Sequence, residues 1–281
     1  ASALALKNLG VGFVRIYPVP EVCDYQRMLQ VLRQNEITAI MTTPSLAYKL
    51  LYEVRKINGG FENFPVKKFL LTGEMISKNN ASNLNKIVGQ EAMTIPFVYG
   101  SSEVATVMYG VEDCTYRGID EDFIFELVDP ETNQTLNFIR GQTEYTGKLV
   151  VSWLRDGLLP ILRYDTNDLF TLKIEGNEHI WQALARKNTK RPESLDELKI
   201  DSLIYASGIP VYHYEVYVND FALDIKIISD PNLDNNHSLP ELTEAILGSL
   251  NHDYSVNIEV NPSQHKFYNF SPSPKMANFK Y

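Results

Sequence analysis

The sequence predicts an α/β fold in three parts: a partial parallel αβα layer, a β-rich subdomain, and a small α+β domain at the carboxyl terminus. Strand and helix signals alternate through residues 1–103, and apolar runs joined by turn residues replace them from Val104. A polar, charged run, Arg186-Lys187-Asn188-Thr189-Lys190-Arg191-Pro192-Glu193, then reads as a joint. The resulting division is 1–184, comprising 1–103 and 104–184, followed by a small mobile unit over 185–281.

Each element has its own signal. Ala1 to Lys7 lacks the leading basic region of a signal sequence and reads as the end of a helix, so the chain is expected to enter in mid-fold with something upstream missing. Val11 to Tyr17 is rich in β-formers and closed by Pro18 and Pro20, which predicts a strand. Tyr25 to Gln34 carries Met28, Leu29 and Leu32 at helical spacing, and Ile37 to Met41 is a short apolar strand. Thr43-Pro44-Ser45 starts a helix over Leu46 to Ile57, with proline where a missing amide costs little. Val66 to Leu71, a helix from Asn79 to Val88, and a strand from Ile95 to Tyr99 continue the alternation. In such a sheet ligands gather beyond the carboxyl ends of strands, so Thr43-Pro44, Thr72-Gly73-Glu74 and Tyr99 to Glu103 are expected on one rim.

The middle part reads as hairpins: Phe123 to Val128, a turn at Asp129-Pro130-Glu131-Thr132-Asn133, then Gly147 to Trp153, Ile161 to Tyr164 and Leu169 to Ile174. In the last part Tyr212 to Val218 and Leu223 to Ile228 pair around Asn219-Asp220, Leu239 to Leu250 is a helix, and Val256 to Val260 a strand. No internal repeat or low-complexity tract appears.

Composition bounds the function. The 281 residues include 44% hydrophobic and 22% charged, with a net charge of −9 and a pI near 5.1, which argues against nucleic-acid binding and attraction to anionic lipid. No run approaches the length of a membrane helix, so the protein is expected to be soluble. Cys23 and Cys114 are far apart with no ligand-spaced partner, which predicts neither a disulfide nor a zinc site and places the chain in the cytoplasm.

Two clusters carry chemistry. Tyr99-Gly100-Ser101-Ser102-Glu103 sets an aromatic, a glycine, two hydroxyls and a carboxylate after an apolar run, and Ile161-Leu162-Arg163-Tyr164-Asp165-Thr166-Asn167-Asp168 ends on another carboxylate. Asp168 can accept two ribose hydroxyls while Glu103 faces a cation. Together they predict a nucleotide site.

The ordered set of Thr43-Pro44-Ser45, Thr72-Gly73-Glu74, Tyr99 to Val104, Val128 to Thr132, Gly147 to Val150 and Leu162 to Leu169 resembles the phenylacetate-CoA ligase family of adenylate-forming acyl- and aryl-CoA synthetases. The likeness runs from Gly10 to Leu172; beyond Arg186 only the domain order is similar. It implies a two-step reaction: a carboxylic acid attacks the α-phosphorus of ATP, giving acyl-AMP and pyrophosphate, then a thiol of CoA or of a carrier protein's phosphopantetheine arm displaces AMP. It also implies roles. Glu103 binds Mg²⁺, Tyr99 lies against adenine, Gly100 lets the backbone approach, Ser101 belongs to the cofactor site, and Ser102 contacts the acyl phosphate or caps a turn. Gly73 and Glu74 form the adenine-side loop, Asp168 binds ribose, Arg186 sits at the inter-domain hinge, and Lys275 reaches the carboxylate and α-phosphate. A homodimer is suggested by the resemblance alone.

The sequence departs from the family at several points. Asp165 and Asn167 stand where basic residues are common, Lys187-Asn188-Thr189 follows Arg186 in place of acidic residues, and Ser273-Pro274 precedes Lys275 where glycine is usual. No serine-, threonine- and glycine-rich phosphate loop occurs in these residues. That leaves two readings: an amino-terminally truncated ligase, or a catalytically silent nucleotide-binding or protein-interaction module derived from one. His179, His213, His237, His252 and His265 are scattered and read as surface or packing residues, since adenylation of an ionised acid needs no general base. The serines lack the strained elbow and ordered partners of a hydrolase.

Overall fold

The computed structural model describes residues 2–17, 23–89, 92–155, 160–184, 195–219, 221–230, 238–250, 254–262 and 278–280. Helix α1 (Ser2–Asn8) leads into residues 9–17, which have no regular structure. The strand expected over Val11 to Tyr17 does not form: Val11, Phe13, Val14 and Tyr17 stay exposed, only Ile16 packs against the core, and no strand among the described residues pairs with the run, so β-propensity alone is not enough.

Helix α2 (Tyr25–Gln34) begins at Asp24, whose carboxylate accepts from the Arg27 amide, and buries Met28, Leu29 and Leu32. Strand β1 (Ala39–Thr42), helix α3 (Pro44–Asn58), strand β2 (Lys68–Leu71), helix α4 (Lys78–Val88) and strand β3 (Met93–Pro96) follow in the expected alternation. Thr43 caps α3 ahead of Pro44, and Ser77 caps α4. The three strands are parallel in the order β1-β2-β3. Phe69 and Leu71 face the helices and are buried. The register sets Met41, Leu70 and Ile95 in one row of the opposite face, where Met41 is 43% and Met93 44% exposed.

Ile95 to Tyr99 is not one strand. The chain leaves the parallel sheet at Phe97, whose amide donates to the Leu71 carbonyl at 2.6 Å while its own carbonyl accepts from Gly110 at 2.9 Å. Strand β4 (Val98–Ser101) therefore opens a second, seven-stranded antiparallel sheet with β5 (Ala105–Val111), β6 (Thr115–Gly118), β7 (Phe123–Val128), β8 (Glu144–Trp153), β9 (Tyr164–Glu175) and β10 (Glu178–Leu184). Its order is β4-β5-β6-β10-β9-β8-β7, and Met108, Leu149, Phe170, Leu172 and Trp181 fill its separate core. Of the two runs expected at Ile161 to Tyr164 and Leu169 to Ile174, the second lies within β9, whereas Ile161 to Arg163 form no strand and only Tyr164 of the first belongs to β9, which has an irregular start.

The carboxyl-terminal unit has helix α5 (Glu197–Ala206), strands β11 (Val211–Asn219) and β12 (Ala222–Ser229), helix α6 (Ser238–Leu247), and strands β13 (Ser255–Val260) and β14 (Phe279–Lys280). The sheet order is β13-β12-β11-β14, and α5 and β14 had no sequence signal. Ile200, Ile204, Val211, Tyr212 and Tyr214 join one continuous core with Ala47, Leu50, Leu51 and Leu84 of the parallel layer. The expected joint lies within 185–194, outside the described residues. No helix among the described residues is long and apolar enough to cross a membrane.

Candidate active site

The loop after Tyr99 is the turn of the β4/β5 hairpin, and its shape follows from local hydrogen bonds. The Ser101 hydroxyl accepts from the Glu103 amide at 3.3 Å and the Val104 amide at 3.4 Å. Ser101 thus organises the turn and leaves Ser102 and Glu103 exposed at its tip. Gly100 is required for a reason other than room for a ligand: a Cβ there would lie 1.9 Å from the Ala105 carbonyl oxygen across the hairpin. The Ser101 hydroxyl, the Glu103 amide and Tyr164 hold the Glu103 carboxyl below its ordinary range, so it is a committed anion.

Strand β9 brings the second cluster beside the first. Lys148 pairs with Asp165 at 2.9 Å, the Asp165 carboxylate accepts from the Asn167 amide at 2.8 Å, and Asn167 takes a left-handed φ of 57°. The pairing with β8 shifts register between Lys148 and Val150, so this stretch is a bulge that re-aims the strand. Asp165 and Asn167 therefore shape the backbone. Beyond the bulge, Asp168 accepts a 2.7 Å hydrogen bond from the Tyr99 hydroxyl. The Tyr99 ring packs edge-on to Phe170, with centroids 4.8 Å apart, and to Tyr116 at 6.2 Å.

Glu74 reaches the start of α3, where its carboxylate accepts from the Ser45 amide at 3.0 Å and the Ser45 hydroxyl at 2.6 Å. An anion there offsets the helix's unsatisfied amides and pins the loop to the parallel layer. Gly73 just before it has a φ of 82°, which a glycine adopts without cost.

These loops line one cavity of about 900 Å³, which includes Ser45, Gly73, Glu74, Tyr99 to Glu103, Thr166 and Asp168. Its remaining wall was not legible in the sequence. Glu197, Asp201 and Tyr205 of α5, Tyr212, His213 and Tyr214 of β11, and Asn278 and Phe279 complete it. Tyr205 stacks on Tyr48 of α3 at 5.7 Å and meets Tyr214 edge-on at 5.6 Å, so an aromatic ladder crosses from one unit to the other. Asp201 accepts from the Tyr214 hydroxyl, and burial pushes its carboxyl up to about 6. His213, expected as a surface or packing residue, is 6% exposed and has a polar partner as well, with its Nε2 3.8 Å from Glu215. His213 and Lys280 together hold the Glu215 carboxyl well below its usual range.

Arg186 and Lys275 lie outside the described residues. Among the described residues no group of three or more His, Cys, Asp or Glu is arranged to hold a metal ion. A cation at Glu103 would take one protein carboxylate and complete its shell with phosphate oxygens and water, a coordination that suits Mg²⁺.

The fold has solved counterparts. A 2-hydroxyisobutyryl-CoA ligase in the postadenylation state, bound to R3-HIB-AMP, superposes with a TM-score of 0.70 at 16% identity, over 91% of this chain and 57% of that one. This is an adenylate-forming ligase fold. The same ligase in an open conformation with 2-HIB-AMP and CoA gives 0.55 at 17% identity, over 99% and 62%. An anthranilate CoA ligase with anthranoyl-AMP gives 0.55 at 12%, over 84% and 47%. The chain thus spans less than two thirds of each of these ligases. No family model matches the sequence. No curated protein matches it either.

Proposed function

We propose that this chain is the carboxyl-terminal part of an adenylate-forming acid–thiol ligase of the phenylacetate-CoA ligase type. The hydrogen bond between Tyr99 and Asp168 carries the reading, because it joins the two motifs at one rim of a cavity shared with Glu74 and Glu103. A carboxylate oxygen of an aryl or acyl acid attacks the α-phosphorus of ATP, the bond to pyrophosphate breaks, and acyl-AMP results. A thiol sulfur then attacks the acyl carbonyl and AMP leaves. The thiol belongs to CoA or to a carrier protein's phosphopantetheine arm.

The residues divide the work by their chemistry. A carboxylate offers about four lone-pair sites, so Asp168 accepts the vicinal ribose hydroxyls while Tyr99 fixes its orientation. The Tyr99 ring, packed against Phe170 and Tyr116, lines the same cavity as Gly73 and Glu74, where adenine would lie. Mg²⁺ at Glu103 would offset the phosphate charge that repels the incoming acid. Arg186 at the joint and Lys275 near the end of the chain would supply positive charge to the ribose, the α-phosphate and the acid.

Pyrophosphate exchange tests the reading. Full-length protein is incubated with ATP, Mg²⁺, labelled pyrophosphate and a panel of aryl and acyl acids, and acid-dependent label in ATP is the expected result. AMP binding without exchange for any acid would instead leave a silent nucleotide-binding module.

A further inference from the structure

Helix α4 meets the carboxyl-terminal unit through a polar stripe. Asn79, Asn83 and Lys86, spaced four and three residues apart, share one helix face. Asn79 donates to the Ser202 hydroxyl at 2.7 Å and Lys86 to the Gly208 carbonyl at 2.6 Å. Asn83, only 2% exposed, does more. Its amide oxygen accepts from the Val211 amide at 3.0 Å, and its amide nitrogen donates to the Val211 carbonyl at 2.8 Å and to the Tyr48 hydroxyl at 3.0 Å. One side chain thus satisfies both backbone groups of the first residue of β11, as a neighbouring strand would.

The two ends of this contact both reach the cavity. Tyr48 lines it and stacks on Tyr205, while Val211 directly precedes Tyr212, His213 and Tyr214 of the opposite wall. Strand residues alternate sides, so a one-residue slip of β11 would exchange which of these side chains face inward. We infer that Asn83 is a positioning residue that holds the carboxyl-terminal wall in register with the nucleotide loops, an inference that rests on the proposed nucleotide site only for its effect on AMP. A buried polar latch specifies a geometry where an apolar contact would tolerate sliding, because each misplaced group loses its partner.

Asn83→Leu tests it, with Asn83→Asp as the conservative variant that keeps the acceptor for the Val211 amide. Hydrogen exchange by mass spectrometry reads the latch directly in the whole chain. In Asn83→Leu the amides of 211–214 are expected to exchange about tenfold faster, since a buried peptide group has lost its partner, while β8 and β9 keep the parental rate. Asn83→Asp should fall between the two. AMP affinity, measured by calorimetry, should drop severalfold in Asn83→Leu. Unchanged exchange at 211–214, or a rise that β8 and β9 share equally, would overturn the inference. If the parent binds no AMP, the proposed nucleotide site fails, and the exchange pattern still decides the latch.

Discussion

Two tyrosine–aspartate pairs line the cavity, with the same hydrogen bond in opposite surroundings. Tyr99 donates to Asp168 on the rim of the antiparallel sheet, at the mouth of a hairpin and beside a bulge. Tyr214, 1% exposed, donates to Asp201 between α5 and β11, and there burial pushes the carboxyl up to about 6. Asp201 keeps a face on the cavity yet is enclosed enough to resist ionisation. The rim carboxylate is only half-buried where it lines the cavity; the wall carboxylate spends folding stability to stay where it is.

The largest effect is expected at the rim. Asp168→Ala removes a charge-assisted acceptor worth roughly 1.5–3 kcal/mol, so AMP affinity should fall about ten- to hundredfold while the melting temperature barely moves. Calorimetric titration with AMP checks this, and parental affinity in the variant would put the nucleotide elsewhere. At the wall, the signature is pH. A folded pKa near 6 against an unfolded value of 3.8 means the native state binds the Asp201 proton more tightly. Its contribution is fully present below about pH 4 and is lost as pH rises through about 6, a change of about 2–3 kcal/mol. Asp201→Asn should flatten that slope in urea denaturation curves taken across the range. Glu215 works the other way: with its folded pKa depressed, the stability it contributes is lost as pH falls below the ordinary glutamate range, so it sets the slope at the acid end.

Gly100→Ala probes the rim's backbone instead of its charge. The new Cβ would meet the Ala105 carbonyl at 1.9 Å, and backbone on both sides leaves nothing flexible to yield. A destabilisation of about 1–3 kcal/mol is expected, with AMP affinity falling because Tyr99 and Asp168 no longer align. A variant as stable as its parent would show that the hairpin relaxes freely.

The rim was legible in the sequence and the wall was not, for a physical reason. Tyr99 to Glu103 and Asp168 sit in turns, where glycine, serine and aspartate are chosen by local backbone needs and so leave a local pattern. The same local pattern misled at Asp165 to Asp168, which read as a loop because its residues do make a turn-like contact, inside a strand. Val98 and Tyr99 read as the end of a parallel strand because no composition change marks Phe97, where the chain switches sheets. Asp201, Tyr205, Tyr212 and Tyr214 lie within regular elements, and their inward direction depends on how a distant unit packs against Tyr48 and Asn83. Strand β14 is two residues long, too short to show any period. Charge told nothing of Asp201, because its shift arises from burial that no neighbour in sequence supplies.

Glu103→Gln separates ligand binding from metal binding at the rim, and its effect on AMP should be the smallest of the series. The carboxylate is exposed at the hairpin tip, and its ionised form is stabilised first by the Ser101 hydroxyl and then by its own amide. Glutamine keeps the length and the hairpin's backbone bonds but removes the charge, so AMP measured without Mg²⁺ should bind as it does to the parent. If Glu103 holds the cation, the variant should need several times more Mg²⁺ to reach half-maximal pyrophosphate exchange, because an amide oxygen is a far weaker ligand for a hard dication than a carboxylate. A loss of AMP affinity in metal-free buffer would move Glu103 from the metal to the nucleotide. An unchanged Mg²⁺ requirement would leave the metal to the phosphates alone, and the rim would then act through Asp168 and Tyr99 without Glu103.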